Sequence, residues 1–332
     1  MNTRSEPGME TPTVAQPGAL RLGYAVAGIA LVILLMAWPA IAGKFATSLM
    51  TQILIFGLLS LSADLLLGHA GLFSLCHAAF FSVAAYTTAI LQVRYSLATE
   101  ASACLGILAG TGLGLIFGLA VRTRGVYFIL VTLALGYIVW GVGYRWSSFT
   151  GGDSGVTNVP SPTLFGFSLE DPTTYYYFVL CIVAAVAYGY GRVVRSPFGL
   201  TLRGIKYAER RMHSLGFHPV KHLYCAFVLS AFLASVAGVL YVYFNKFVNP
   251  VSASLHNNVE AILMAILGGS GSILGPFVGA AFVLGLRNWV SSFFELYLTV
   301  MGIVFIAVVI WAPGGVSGLV QRLVNRLRSE TR

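Results

Sequence analysis

The sequence predicts an all-α polytopic membrane protein with about ten transmembrane segments, some of them broken or re-entrant. Three observations carry that expectation. Hydrophobic residues make up 57% of 332 positions and charged residues 9%, against about 25% charged in an average soluble domain. The charges are too few to cover a water-facing surface. Stretches 22–43, 101–121, 126–144 and 296–312 carry no charge at all, and each can cross a hydrocarbon core of about 30 Å as a helix. The basic residues also gather between the apolar runs, as orientation signals do, so the net charge of +9 does not point to nucleic acid.

Taken in chain order, residues 1–21 are polar and read as a disordered cytoplasmic extension. A cleaved secretory leader has a shorter apolar core with a small-residue cleavage site close behind it, so 22–43 is expected to be a retained helix. Further helices are expected near 49–67, 77–93, 101–121, 126–144, 175–194 and 223–244. A Gly-broken stretch follows at 259–288, then a last helix near 296–312. The transmembrane permease domain is thus 22–319, and 320–332 is a basic cytoplasmic tail.

Charge sets the orientation. Arg192, Arg195, Arg203, Lys206, Arg210, Arg211 and Lys221 share one loop; Arg322, Arg326, Arg328 and Arg332 share the tail; Arg122 and Arg124 share a tight turn. These mark the cytoplasmic side. Loop 145–174, with Asp153, Glu170 and Asp171, falls on the other. Six crossings from a cytoplasmic N-terminus bring loop 195–222 to the cytoplasm. For the basic tail to return there, 259–288 must enter and turn back, as two short helices or a re-entrant hairpin.

Non-helical backbone at membrane depth is tolerated where it is buried in protein or lines a cavity. Two stretches qualify: Gly68, His69, Ala70 and Gly71 through Ser74 to His77, and Gly268, Gly269, Ser270 and Gly271 through to Pro276. Each has Gly-x-x-Gly and is followed by Ala-Ala-Phe, at Ala78–Phe80 and Ala280–Phe282, a hint of an internal repeat. Glycines at 106, 110, 114 and 118 form one stripe down a helix, and Gly271, Gly275 and Gly279 begin another. Small residues at that spacing let helices approach closely in lipid, and packing without transport chemistry is the expected role. Cys76, Cys104, Cys181 and Cys225 have no C-x-x-C partner, so no metal or redox motif is present. They are expected to be buried free thiols, and no cofactor is implied.

Loop 195–222 is the most informative segment. Ser196 with Pro197 looks like an N-cap and a first-turn proline. Leu202, Ile205, Met212 and Leu215 follow at near-helical spacing, and Gly216 stands where a C-terminal cap belongs. An amphipathic helix at the cytoplasmic face is expected, either a charged loop that fixes topology or a docking helix that passes on a partner's motion.

Five segments together resemble the branched-chain amino acid permeases of ABC importers, the LivM type. They are Leu67–Gly71 with Ser74-Leu75, Thr123–Phe128 with Thr132-Leu133, Thr150–Gly155, Arg195–Gly199 with Glu209 and Leu215-Gly216, and Leu267–Gly271 with Gly275-Pro276; Ala312–Gly315 closes the last helix. Order and spacing hold from about residue 50 to 319. The resemblance implies a second permease subunit, two ABC ATPase subunits docked on loop 195–222, and a periplasmic substrate-binding protein, in a bacterial inner membrane. Its coupling residues would be Ser196, Pro197, Phe198, Gly199, Arg203, Glu209, Leu215 and Gly216. Mechanism would be alternating access, moving branched-chain amino acids or a related small amphipathic solute.

This sequence departs from the family at three positions near the first break. Leu72 stands where a Gln is usual, Cys76 where a Gly is usual, and Asp64 where an Asn is usual. Arg210, Arg211, Met212 and His213 also replace a Glu- and Ala-rich run. Urea, short amides and aromatic acids therefore stay open as substrates. A carboxylate inside a membrane helix costs about 2.5–3.5 kcal/mol to insert, so Asp64 is expected to line the pathway or pair with His69 or His77, or to lie hydrated at the interface. Glu260 is weighed in the same way.

No Gly-x-x-x-x-Gly-Lys-Ser/Thr phosphate loop occurs, so ATP would be handled by a partner. A secondary ion-coupled transporter is the rival class. An enzyme is not expected, since paired carboxylates and metal-spaced histidines are missing from the pattern.

Overall fold

The computed structural model describes residues 33–164 and 166–291, together with 299, 302, 303 and 306. The polar extension, the start of the first helix, most of the last helix and the basic tail lie outside the described residues.

In hydrocarbon every backbone N–H and C=O must be satisfied within the protein, which turns the apolar runs into helices. Helix α1 occupies 33–41. Helix α2, Lys44–Asp64, continues through a π-helical turn, Leu65–Ala70. After a coil, α3 runs His77–Tyr95 and α4 Thr99–Phe117, the latter tightening into a 3-10 turn, Gly118–Arg122. Helix α5, Val126–Arg145, is followed by the single turn α6, Ser147–Thr150.

Loop 145–174 carries a two-residue ribbon that the sequence did not announce, β1 (Thr163–Leu164) against β2 (Phe167–Ser168). Val156 also exchanges backbone hydrogen bonds of 2.8 and 3.0 Å with Val248, pinning this loop to the far end of a later helix. Helix α7 spans Pro172–Arg195, and Asp171 caps it by accepting from the N–H groups of Thr173 and Thr174 at 3.1 and 3.2 Å. Helices α8 (Pro197–Ser214), α9 (Pro219–Asn245), α10 (Leu255–Gly268) and α11 (Gly275–Ser291) complete the described chain.

Among the described residues five helical segments are long and apolar enough to cross a membrane: Lys44–Ala70, Thr99–Arg122, Val126–Arg145, Pro172–Arg195 and Pro219–Asn245. The protein is an all-α, multi-pass membrane protein. The broken stretch is two helices packed together, of 14 and 17 residues. At 1.5 Å per residue each is about 21–26 Å long, short of the hydrocarbon thickness.

Helix α2 is the central pillar, packed against α7, α9, α10 and α11, while α3, α4 and α9 pack against one another. The glycine stripe of α4 faces inward: a Cβ at Gly106 or Gly110 would meet α3 carbonyls, and one at Gly114 would meet Ala231 of α9. These glycines are packing surfaces. The same holds in the hairpin, where a Cβ at Gly268 would meet the Gly275 carbonyl and one at Gly279 the Met264 carbonyl. The thiol expectation needs correction. Cys76 is buried, but Cys104, Cys181 and Cys225 are exposed on outward helix faces, since the apolar exterior of a membrane protein takes residues a soluble core would enclose.

Candidate substrate pathway and coupling site

The first break begins where α2 ends. Asp64 closes the α-helix, the π turn follows, and Gly71 takes the left-handed conformation (φ 72°), with the Leu72 N–H donating to the Leu66 carbonyl at 2.9 Å. A π turn widens the helix by one residue and is found mostly where function demands an offset. The coil that follows is held from outside. Leu75 N–H donates to Thr132 Oγ1 at 3.1 Å, and Ala78 N–H, in the first turn of α3, donates to Asn258 Oδ1 at 2.8 Å. One element from α5 and one from α10 therefore replace the bonds a continuous helix would have made.

In the second break Gly269 and Gly271 both have positive φ, 103° and 83°. Ser272 Oγ donates to the Gly269 carbonyl at 3.0 Å and accepts from Gly275 N–H at 2.9 Å, starting α11. Ser270 is exposed, whereas Gly268 and Gly269 are buried.

The two breaks meet. Gly271 N–H donates to Asp64 Oδ1 at 2.8 Å, and a Cβ on Gly68 would lie 2.5 Å from the Gly271 nitrogen. Backbone touches backbone there with no side chain between. Asp64 is fully buried, which excludes a hydrated carboxylate, and its Oδ2 accepts from Tyr190 Oη at 3.2 Å. His69 reaches the Asp64 carboxylate through that tyrosine, with Nδ1 3.3 Å from Tyr190 Oη, and also hydrogen-bonds the Asp64 backbone. His77 does not join this group. Its Nε2 lies 2.8 Å from Ser230 Oγ and its Nδ1 3.3 Å from the Ser74 carbonyl, and Ser74 Oγ lies 3.3 Å from Cys76 Sγ. Glu260 is buried and takes an ion pair from Arg287 across the α10–α11 hairpin at 3.1 Å.

Loop 195–222 folds as expected in outline and departs in detail. Ser196 occupies the N-cap position, but its hydroxyl donates backward to the Val193 carbonyl at 2.6 Å, so it makes no side-chain cap. Gly199 is buried in the elbow, where a Cβ would strike Val194, and Arg203 Nη2 donates to the Val194 carbonyl at 3.4 Å. Phe198 stacks on His222. The helix is not one straight amphipathic rod: Ala208 has φ −152° and ψ 66°, and beyond this kink Met212 lies over Gly204. Leu202 and Ile205 are buried, but Leu215 is 67% exposed, outside the predicted apolar stripe. Gly216 has φ 86°, with its N–H and that of Phe217 closing the helix onto His213 and Met212. Glu209 pairs with Arg124 of the α4–α5 turn.

Sequence reasoning missed Tyr190, Ser230, Asn258 and the structural part of Lys206, whose Nζ donates to the Gly68 carbonyl at 2.7 Å. A lysine in a basic loop and a tyrosine near a helix end both carry ordinary interfacial meanings, so no local signal marks them. An apolar cleft of about 570 Å³ also opens between α3, α4 and α5, lined by Tyr86, Ile90, Phe117, Val139 and Trp146 among others.

Comparison with known proteins follows the same lines. The family described as branched-chain amino acid transport system / permease component matches residues 45–309. The high-affinity branched-chain amino acid transport system permease protein LivM of Salmonella typhimurium is 28% identical over 311 residues, covering 86% of this chain and 73% of the relative. LivM of Escherichia coli matches to the same extent. No solved structure matches.

Proposed function

We propose, from the premise that this chain belongs to the branched-chain amino acid transport system permease family, that it imports branched-chain amino acids as one half of a permease pair. The chain is a multi-pass permease component; substrate, direction and assembly are the reading offered here. Two ABC ATPases would dock on α8 at the cytoplasmic face, and a periplasmic binding protein would deliver substrate to the other side. The inner membrane of a bacterium is the setting this implies.

One observation supports the reading most directly. The π turn that ends α2 and the non-helical stretch between α10 and α11 meet at Gly68 and Gly271, with α8 against the same place. Irregular backbone is tolerated in a membrane where it is buried in protein or lines a cavity, and this joint is a contact between segments that shares no backbone ladder. The apolar cleft between α3, α4 and α5, with few polar groups, suits an amphipathic solute, though none of the joint's residues line it. Gly68, His69, Gly71, Ser74 and His77 on one side and Gly268 to Gly271 on the other are the residues proposed to wall the pathway, with Asp64 fastening them.

Proteoliposomes carrying this permease with its partner permease, ATPases and binding protein test the reading. ATP-dependent uptake of labelled leucine, competed by isoleucine and valine but not by urea or phenylalanine, is expected. Uptake driven by an ion gradient in the absence of ATPases would establish the secondary-transporter alternative instead.

A further inference from the structure

We propose that Lys206 is a positioning residue that carries the motion of α8 into the pathway wall through its bond to Gly68. The inference rests on the reading of the chain as a permease driven by a docked ATPase.

Polar contacts from α8 to the rest of the described chain are few. Glu209 holds the neighbouring Arg124, and Arg203 holds Val194 at the end of α7, from which α8 itself springs. Lys206 alone among these reaches a break. Its Nζ lies 2.7 Å from the Gly68 carbonyl oxygen, across 138 residues of sequence. That carbonyl is available because the helix stops at Ala70, and carbonyls in a last turn lack intrahelical partners. The same helix end carries the negative pole of the peptide dipoles, which favours a cation there.

The stem of the lysine is placed as firmly as its tip. A Cβ on Gly71 would lie 2.9 Å from Lys206 Cγ, so the side chain runs over a residue that offers no side chain of its own. On its other side, the Gly68 peptide lies against Gly271 and the Asp64 carboxylate. A single side chain from α8 thus grips the carbonyl of the residue that forms the joint between the breaks. Displacement of α8 by a docked partner must either drag Gly68 or release it. Because Lys206 is exposed, the bond adds little to folding, and its consequence is mechanical.

The test uses purified complexes of the permease with its ATPases and binding protein, reconstituted and compared at equal monodispersity. Lys206→Met keeps the aliphatic stem and removes the ammonium. It is expected to retain the ATPase subunits and basal hydrolysis while losing ATP-driven uptake about tenfold, within the usual range of coupling between sites. Lys206→Arg, which can reach the same carbonyl, restores most of the uptake. Lys206→Ala, which removes stem and ammonium together, is expected to lose at least as much uptake as Lys206→Met. Near wild-type uptake in Lys206→Met overturns the proposal. So does loss of the ATPase from that complex, which makes Lys206 a docking contact, and so does an arginine variant no better than the methionine one. A wild-type chain that binds no ATPase and transports without ATP refutes the permease reading itself, a result separate from all of these.

Discussion

Replacing Asp64 by leucine removes both acceptors that fasten the joint, and its cost follows from the geometry. Tyr190 Oη keeps His69 Nδ1 as a fallback at 3.3 Å. The Gly271 N–H, now 2.8 Å from the carboxylate, keeps nothing from the protein. An orphaned buried polar group costs about 1–3 kcal/mol, and Gly271 itself is exposed, so water recovers part of that. A net cost of about 2 kcal/mol lowers the population of the joined arrangement about 30-fold. Asp64→Asn keeps an acceptor for Gly271 and exchanges a charged hydrogen bond for a neutral one, at about 1 kcal/mol or roughly fivefold. The assay is the initial rate of substrate uptake per unit of permease in the membrane. Leucine should be the more severe change by a clear margin. Wild-type uptake in Asp64→Leu at equal abundance, or an asparagine variant as impaired as the leucine one, would refute the reasoning.

Other outcomes follow from the same structure. On a background without native cysteines, a cysteine at Ser168, on the exposed ribbon at the end of α7 opposite α8, should react with an impermeant thiol reagent in intact cells, and one at Ser329 should not; the assignment puts 15 of the 20 Lys and Arg inside. Glu209→Arg sets like charges against Arg124; an exposed pair is worth only about 0–1 kcal/mol, so insertion and stability should hold while co-purification of the ATPase falls. Gly216→Val forces a β-branched residue to a φ of 86°, at about 1–3 kcal/mol of backbone strain, and should weaken ATPase-coupled uptake, with Arg328→Ala in the tail as the silent control. Arg287→Met strands the buried Glu260 carboxylate at about 3–5 kcal/mol, so thermal stability in detergent should drop and recover when Glu260→Gln is added; an unchanged melting curve would remove the pair from the structural account.

Much of the architecture is legible in the chain because lipid leaves the backbone so few options. Apolar length gives the helices, and glycine pairs such as Gly268-Gly269 give the places where they stop. The joint itself is not legible. Asp64 and Gly271 are 207 residues apart and Gly68 and Lys206 are 138 apart, and no periodicity relates such positions. The kink in α8 falls on Ala208, a strong helix former, so propensity argues against the break that the backbone makes there. Exposure is not legible either: the three outward thiols and Leu215 are apolar by sequence, and pattern alone does not separate such positions from buried ones. His77 and His69 are near in sequence, yet they face different neighbours, because the π turn and coil between them rotate the chain.

The contact of Gly68 with Gly271 has a consequence for how a transporter of this design can change its cargo. A hinge made of bare backbone offers nothing to distinguish one solute from another: a side chain at Gly68 would force the halves apart, and the φ of 83° at Gly271 favours glycine there. If the joint is the proposed hinge, discrimination would have to be written around it, at neighbours such as Leu72, where size and polarity can vary while the backbone contact stays the same. Machinery and selectivity would then be separate inheritances, and a new diet would require no new engine.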